Sequence, residues 1–231
     1  MVLTPVDKVK QSSVKTTFII TAGLQIRILL LALFFSAFFN IKNGFSQKRA
    51  VLNANQVAPD FVVEDVFGTS VNLKAYHGKK VILSFYRFAT CPLCNLRVLK
   101  LIEQHNAKYK DKGIVVIAVF EDTRENILQY VAKESMPLVI IADNNKTLFK
   151  LYGVESNKRK AIRNFLFNKE VKKQRKEIKS RNITVKPTKN VNQGRIPADF
   201  LIDTQEKIAV AHYGKHVGDH ISFEKINTFV E

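Results

Sequence analysis

The chain has 231 residues, 46% hydrophobic and 25% charged, which suffices to bury one substantial core, with room for appendages. Its formal net charge of +17 is uneven: the stretch from Lys158 to Lys189 holds 13 Lys or Arg against 2 Glu and supplies +11 by itself. The remainder is only mildly basic, and few aromatics interleave with the basic run to stack bases, which argues against nucleic acid as a partner.

Asp7, Lys8, Lys10 and Lys15 precede an apolar run, Ile28–Phe39, of 12 residues. That length suits the apolar region of a signal peptide and is too short to span a bilayer alone. Extension back to Thr17 gives 23 residues but includes Arg27, at a cost of about 2.5–3.5 kcal/mol near a helix centre. Gly44 and Ser46 place small residues appropriately for cleavage after Ser46. Residues 1–46 are therefore expected to be a signal peptide or an N-terminal anchor, with 17–39 as the membrane segment. The basic leader stays cytoplasmic, so the rest of the chain is expected to be exported and periplasmic, outside the inner membrane. Residues 47–57, QKRAVLNANQV, read as a polar tether to a domain over 58–231.

Within that domain, APDFVVEDVFGTSVNL alternates apolar and polar residues about Gly68, the pattern of a hairpin. KKVILSFYRF is a continuous β-branched and aromatic run, expected as a strand buried on both faces. A helix follows through CPLCNLRVLKLIEQHNAKYKDKG, with Leu96, Val98, Leu99 and Ile102 at helical spacing and Gly113 as its stop. Then come a strand (IVVIAVF), an amphipathic helix (TRENILQYVAKES) broken at Met136-Pro137, and a strand (LVIIAD). The end of the chain reads as an antiparallel hairpin, ADFLIDTQEKIAVAHYG, and a terminal helix, DHISFEKINTFVE. This order predicts an α/β domain with a central mixed sheet and helices on both faces. The basic stretch 155–193 interrupts it as a loosely amphipathic insertion. It reads as a solvated charged face or as a surface for anionic lipid headgroups through 158–189.

The chemistry rests on YRFATCPLCN, which holds the only two cysteines, Cys91 and Cys94. Cys91 closes a buried strand and Pro92 opens a helix, as proline does at a first helical position. Cys91 then lies at the N-cap and Cys94 in the first turn, where free backbone N–H groups and the helix dipole stabilise a thiolate. Arg87, Arg97 and Lys100 are near enough in sequence to lower a thiol pKa further. The spacing also lets the two sulfurs bond to each other.

The pair has three alternative uses. A structural disulfide over so small a loop would constrain the unfolded chain little. A zinc site would need His212 and His216, but 117 residues intervene between Cys94 and His212, outside any familiar spacing. Two inert buried thiols are the third alternative. His212, His216 and His220 read as polar loop residues because Gly214 and Gly218 disfavour a helix there. No metal or cofactor is expected.

APDF, VILSFYR, CPLC, IVVIAV, MPLVIIAD and PADFLID, in this order, resemble the thioredoxin-like superfamily. More closely they resemble peroxiredoxin-like proteins of the alkyl hydroperoxide reductase and thiol-specific antioxidant group. The resemblance covers Ala58 to Val230 and implies a thioredoxin-like fold, with the leader outside it and the basic stretch as an insertion. Peroxiredoxins carry P-x-x-x-T-x-x-C and a later arginine. Placing Cys94 on the peroxidatic cysteine puts Cys91 at the threonine, Arg87 at the proline and Pro197 at the arginine. The thioredoxin pattern instead makes Cys91 the nucleophile and Cys94 the resolving thiol. It also sets Ile196-Pro197 where that superfamily keeps a cis-proline loop facing the dithiol.

The resemblance implies a thiol–disulfide oxidoreductase with Cys91 and Cys94 as catalytic residues. Thr90, Pro92, Arg87, Arg97, Ile196 and Pro197 are its expected supporting residues. Its partners would be a protein disulfide and an external thiol electron donor. The alternatives are a peroxiredoxin-like peroxidase acting on hydroperoxides, and a membrane-associated interaction module with a vestigial dithiol.

Overall fold

Val81–Tyr86 and Val115–Phe120 are apolar runs buried along nearly their whole length. Strands without a solvent face must be covered on both sides, and the computed structural model of the chain, which describes residues 51–130, 136–185 and 191–231, is built in that way. The elements are β1 (Val62–Glu64), β2 (Ser70–Asn72), β3 (Val81–Tyr86), α1 (Pro92–Gln104), β4 (Val115–Phe120), α2 (Arg124–Leu128), β5 (Val139–Ala142), α3 (Thr147–Leu151), α4 (Lys158–Phe167), α5 (Lys169–Ser180), β6 (Ala198–Ile202), β7 (Ile208–Tyr213) and α6 (Phe223–Val230).

Five strands form one sheet in the order β5-β4-β3-β6-β7, with β3, β4 and β5 parallel and β6 antiparallel to both its neighbours. The first two strands make a separate antiparallel hairpin, pairing Val63 with Val71. The mixed sheet and the hairpins expected from the sequence are therefore present. Strand alternation divides the core in two. One face carries Ile82, Tyr86, Ala118, Phe120 and Leu201 against α1, α6 and the insertion, and it holds both cysteines. The other carries Leu83, Phe85, Val119 and Phe200 against Phe149 and Tyr152. There Phe85 meets Phe149 edge-on at 5.1 Å and Tyr152 meets Phe200 at the same distance. Such pairs contribute about 0.5–1.5 kcal/mol beyond their burial.

The basic stretch is helical, in keeping with its loosely amphipathic pattern. It forms two helices, because Asn168 leaves the helical region (ψ 128°) and ends α4. Its side chain then accepts the Val171 N–H and caps α5. The insertion is more than a solvated face. Ala161 and Val171 are buried in the core. Lys100 on α1 reaches Glu177 on α5 at 2.8 Å, and Arg181 reaches Glu103 at 2.7 Å.

Helix α3 is too short to carry a periodic apolar signal in the sequence. It exists because the Asp143 carboxylate accepts the N–H groups of Thr147, Leu148 and Phe149, three donors that a helix start leaves unpaired. Helix α1 runs on through a π-turn, His105–Tyr109, and stops at Gly113, whose φ of 64° glycine adopts without penalty. The helix expected over Thr123–Ser135 is seen as Arg124–Leu128; residues 131–135 lie outside the described residues.

Of the expected tether, residues 51–57 dock beside β7, where the Asn55 N–H donates to the Ile208 carbonyl at 2.8 Å. The expected leader and anchor, 1–46, lie outside the described residues. Among the described residues no helix is long and apolar enough to cross a membrane.

Candidate active site

Strand β3 ends at Tyr86, and a tight loop delivers Cys91 to the N-cap of α1, with Pro92 in the first helical turn. The loop is pinned from both sides. Asp122 accepts the Ala89 N–H at 2.9 Å, and the Asn95 side chain donates to the carbonyls of Ala89 and Cys91 at 2.6 and 2.9 Å. Cys91 Sγ accepts the backbone N–H of Cys94 at 3.4 Å, as an N-cap oxygen would. Arg87 Nη1 lies 3.6 Å from the same sulfur. Both cysteines are free thiols, and Cys91 has no solvent exposure.

The two thiols are driven apart electrostatically. Burial alone would raise the Cys91 pKa. The hydrogen bond from the Cys94 thiol, the Arg87 guanidinium and the helix-start N–H groups outweigh burial and lower it to about 6. The Cys94 thiol is pushed well above the ordinary value by burial, and then by its hydrogen bond to Cys91 and that residue's charge. At neutral pH the site holds one thiolate and one thiol.

Arg87 is itself held in place. Its Nη2 donates to the Gln193 side-chain oxygen at 2.8 Å and to the Gln193 carbonyl at 3.1 Å. Its guanidinium lies over the Phe88 ring at 5.0 Å. The segment carrying Gln193 is fixed in turn, because Asn192 and Arg195 both bond the buried Glu121 at the end of β4. The sequence carried no signal for Gln193, which is 106 residues from Arg87.

The other expected supporting residues divide. Thr90 is buried beside Cys91, with its Oγ1 lacking a hydrogen-bond partner, and Pro92 is exposed. Ile196 is buried in the same core face as the cysteines. Continuing the β3–β6 register past Ala198 sets Pro197 beside Tyr86. The described peptide bonds include no cis bond, so Ile196–Pro197 is trans, unlike the cis-proline the resemblance implied.

Arg97 points away from the thiols. It donates to the Ile221 carbonyl at 2.8 Å and stacks on Phe223 at 3.9 Å. Lys100 is occupied by Glu177. The histidines are not all loop residues either. His212 lies on β7 and pairs with Asp219, while His220 is bonded through Nδ1 to the fully buried Asp199 at 3.0 Å. Burial opposes charge on Asp199, but the imidazole of His220 and its hydrogen bond win and hold the carboxyl well below the usual range. An aspartate inside the apolar run ADFLI was the available signal, since a buried carboxylate needs a partner.

A cleft of about 680 Å³ opens beside the dithiol, lined by Arg87, Thr90 and Cys91 together with Ile162, Phe165 and Leu166 of α4. The insertion therefore forms a wall of the candidate active site.

Against this geometry, residues 54–211 match the model of the AhpC/TSA family. The chain belongs to the AhpC/TSA family. It is 30% identical over 128 residues to the thiol-disulfide oxidoreductase ResA of Bacillus cereus, covering 55% of this chain and 73% of that protein. It is 27% identical over 107 residues to the peroxiredoxin Bcp of Escherichia coli, covering 46% and 68%. The fold is similar to that of peroxidoxin BcpB from Mycobacterium tuberculosis, with a TM-score of 0.53 at 13% identity, covering 78% of this chain and 94% of that one. It is also similar to a putative thiol:disulfide interchange protein DsbE from Chlorobium tepidum, with a TM-score of 0.51 at 21% identity, covering 79% and 100%. These likenesses support the thioredoxin-like reading of the sheet. The family spans peroxide and disulfide chemistry, so the site must decide between them.

Proposed function

We propose that this AhpC/TSA protein is a thiol–disulfide oxidoreductase with Cys91 as nucleophile and Cys94 as resolving thiol. The observation that carries this is the opposed pair of thiols, Cys91 lowered to about 6 and Cys94 raised. The Cys91 thiolate attacks one sulfur of a substrate disulfide. A Cys91–substrate bond forms, and the other substrate sulfur leaves as a thiolate and takes up a proton. Cys94 then loses its proton and attacks Cys91 Sγ, releasing the second substrate sulfur. The substrate gains two electrons and the protein retains a Cys91–Cys94 disulfide, which an external dithiol donor reduces. Arg87 steadies negative charge on Cys91, and Thr90, Ile196 and Pro197 shape the surroundings.

The test is insulin reduction with dithiothreitol. Activity is expected from the full chain and should vanish in Cys91→Ser. Retention of full activity there would falsify the assignment.

Peroxidase chemistry is the second reading, supported by the family itself. It has a peroxide oxidise one thiol to a sulfenic acid, which the other resolves. The family alignment makes Cys94 the peroxidatic residue, but its thiol is the protonated one of the pair. Consumption of hydroperoxide with a supplied thiol, lost first in Cys94→Ser, would favour this reading. An interaction module would survive both substitutions.

Export and retention by residues 17–39 fit an oxidoreductase that works on disulfides, which persist in oxidising compartments. Fractionation of cells expressing the full chain tests this, and a cytoplasmic product sinks it. Contact of the basic stretch 158–189 with anionic lipid is tested by salt-dependent binding to vesicles.

A further inference from the structure

Helix α4 presents Ile162, Phe165 and Leu166 at positions i, i+3 and i+4, one face of a helix, and all three line the cleft beside Cys91. Ile162 and Leu166 are nonetheless 50% exposed, and Phe167 at the end of the helix is 73% exposed. A large apolar strip left open beside a nucleophile marks a contact surface rather than a finished core. The charges around it are one-sided. Lys158 and Arg175 line the cleft, and among the described residues no aspartate or glutamate lines it.

Two cations of the insertion are matched, Lys160 to Glu155 and Arg181 to Glu103 and Glu177, and the insertion otherwise keeps a large excess of positive charge. Lys158 and Arg175 have no carboxylate partner among the described residues. Arg175 instead lies over the Phe165 ring at 4.7 Å, its charge held on the apolar wall. The cleft is complementary to something apolar that carries negative charge, and Cys91 forms part of its lining.

We infer that the α4–α5 insertion is a substrate-selecting element, seating a segment of a partner protein in which apolar side chains and a carboxylate flank the target disulfide. This rests on the oxidoreductase reading and names its substrate class. A protein segment fits better than a free amphiphile because the apolar surface does not stop at the cleft. It continues to Phe167, where an extended chain can lie and an enclosed acyl tail cannot.

The test uses the full chain with Cys94→Ser, which stops at the mixed disulfide. Three short cysteine peptides, apolar-acidic, apolar-basic and polar-neutral, are each activated as a 2-thiopyridyl disulfide. Attack by Cys91 forms a Cys91–peptide bond, breaks the peptide–thiopyridyl bond and releases thiopyridone, whose absorbance gives the rate. The apolar-acidic peptide should react about tenfold faster than the apolar-basic one, as complementary charge directs encounter. That ratio should fall to about one in Lys158→Ala/Arg175→Ala.

Equal rates for the acidic and basic peptides overturn the inference while leaving the dithiol chemistry intact. Failure to attack neutral bis(2-hydroxyethyl) disulfide overturns the oxidoreductase reading, and the inference with it. Equal peptide rates together with strong inhibition by oleate assign the cleft to an amphiphile and also overturn the proposal.

Discussion

Arg87 Nη1 lies 3.6 Å from Cys91 Sγ, and the same guanidinium is anchored through its other nitrogen to Gln193. A cation fixed beside a buried sulfur favours the thiolate more than a mobile one, because no side-chain ordering remains to be done when the proton leaves.

The first consequence is a titration. Alkylation of the reduced protein by iodoacetamide should rise with pH about a midpoint near 6. Arg87→Ala should move that midpoint upward by about one unit, as loss of a nearby opposite charge does. An unmoved midpoint would show that Arg87 does not act on Cys91. Because the Cys91 pKa is depressed on folding, the stability it contributes is present above the ordinary thiol value. It is lost as pH falls from there toward about 6. Reduced protein should therefore gain stability relative to Cys91→Ser between those limits, measurable by urea unfolding.

Gln193 should act through Arg87. Gln193→Ala is expected to raise the Cys91 midpoint in the same direction by a smaller amount. Adding it to Arg87→Ala should change nothing further, since the two share one path to the sulfur. Additive shifts in that double-mutant cycle count against a positioning role.

The potential follows from the thiolate. A nucleophilic thiol near 6 is closer to thioredoxin, about 7, than to a strongly oxidising dithiol protein, about 3.5. Equilibration with glutathione should give a value nearer to about −270 mV than to about −120 mV. A reading at the oxidising end would reverse the proposed direction of electron flow.

Asp199 and His220 form a buried pair at the end of the sheet. His220→Ala leaves the Asp199 carboxylate buried without its imidazole partner, held by the Ile221 N–H at 2.8 Å. Loss of one partner of a buried pair costs about 3–5 kcal/mol, read from denaturant unfolding. Asp199 has a lowered pKa, so its contribution is present above the ordinary carboxylate range and disappears as pH falls below it. A His220→Ala protein as stable as the parent at pH 7 would rule the pair out as a fold determinant.

Gly214 is needed for closeness rather than for backbone freedom. A Cβ there would meet the carbonyl oxygens of Asp219 at 2.7 Å and Pro197 at 2.8 Å, both backbone atoms. Gly214→Ala should destabilise by about 1–3 kcal/mol through overpacking. Unchanged thermal unfolding would show that the loop yields.

Much of the sheet was legible because its signals are local. Continuous apolar runs mark strands covered on both faces, and in β3 and β4 they do so residue by residue. Proline after Cys91 marks a helix start, and α1 begins at Pro92. These depend on neighbours a few positions apart, so the sequence by itself determined an α/β domain with two cysteines at the positive end of a helix. It could not say where Arg97 would point, since rotation of a helix against a sheet is set by everything packed around it. It could not show that Asn168 would split the basic stretch and lay α4 across the cleft. Only the tertiary structure set the Arg87 guanidinium 3.6 Å from Cys91 Sγ and held it there through Gln193, 106 residues away in the chain. Electrostatic pairing falls off over a few ångströms of space and takes no account of distance along the chain.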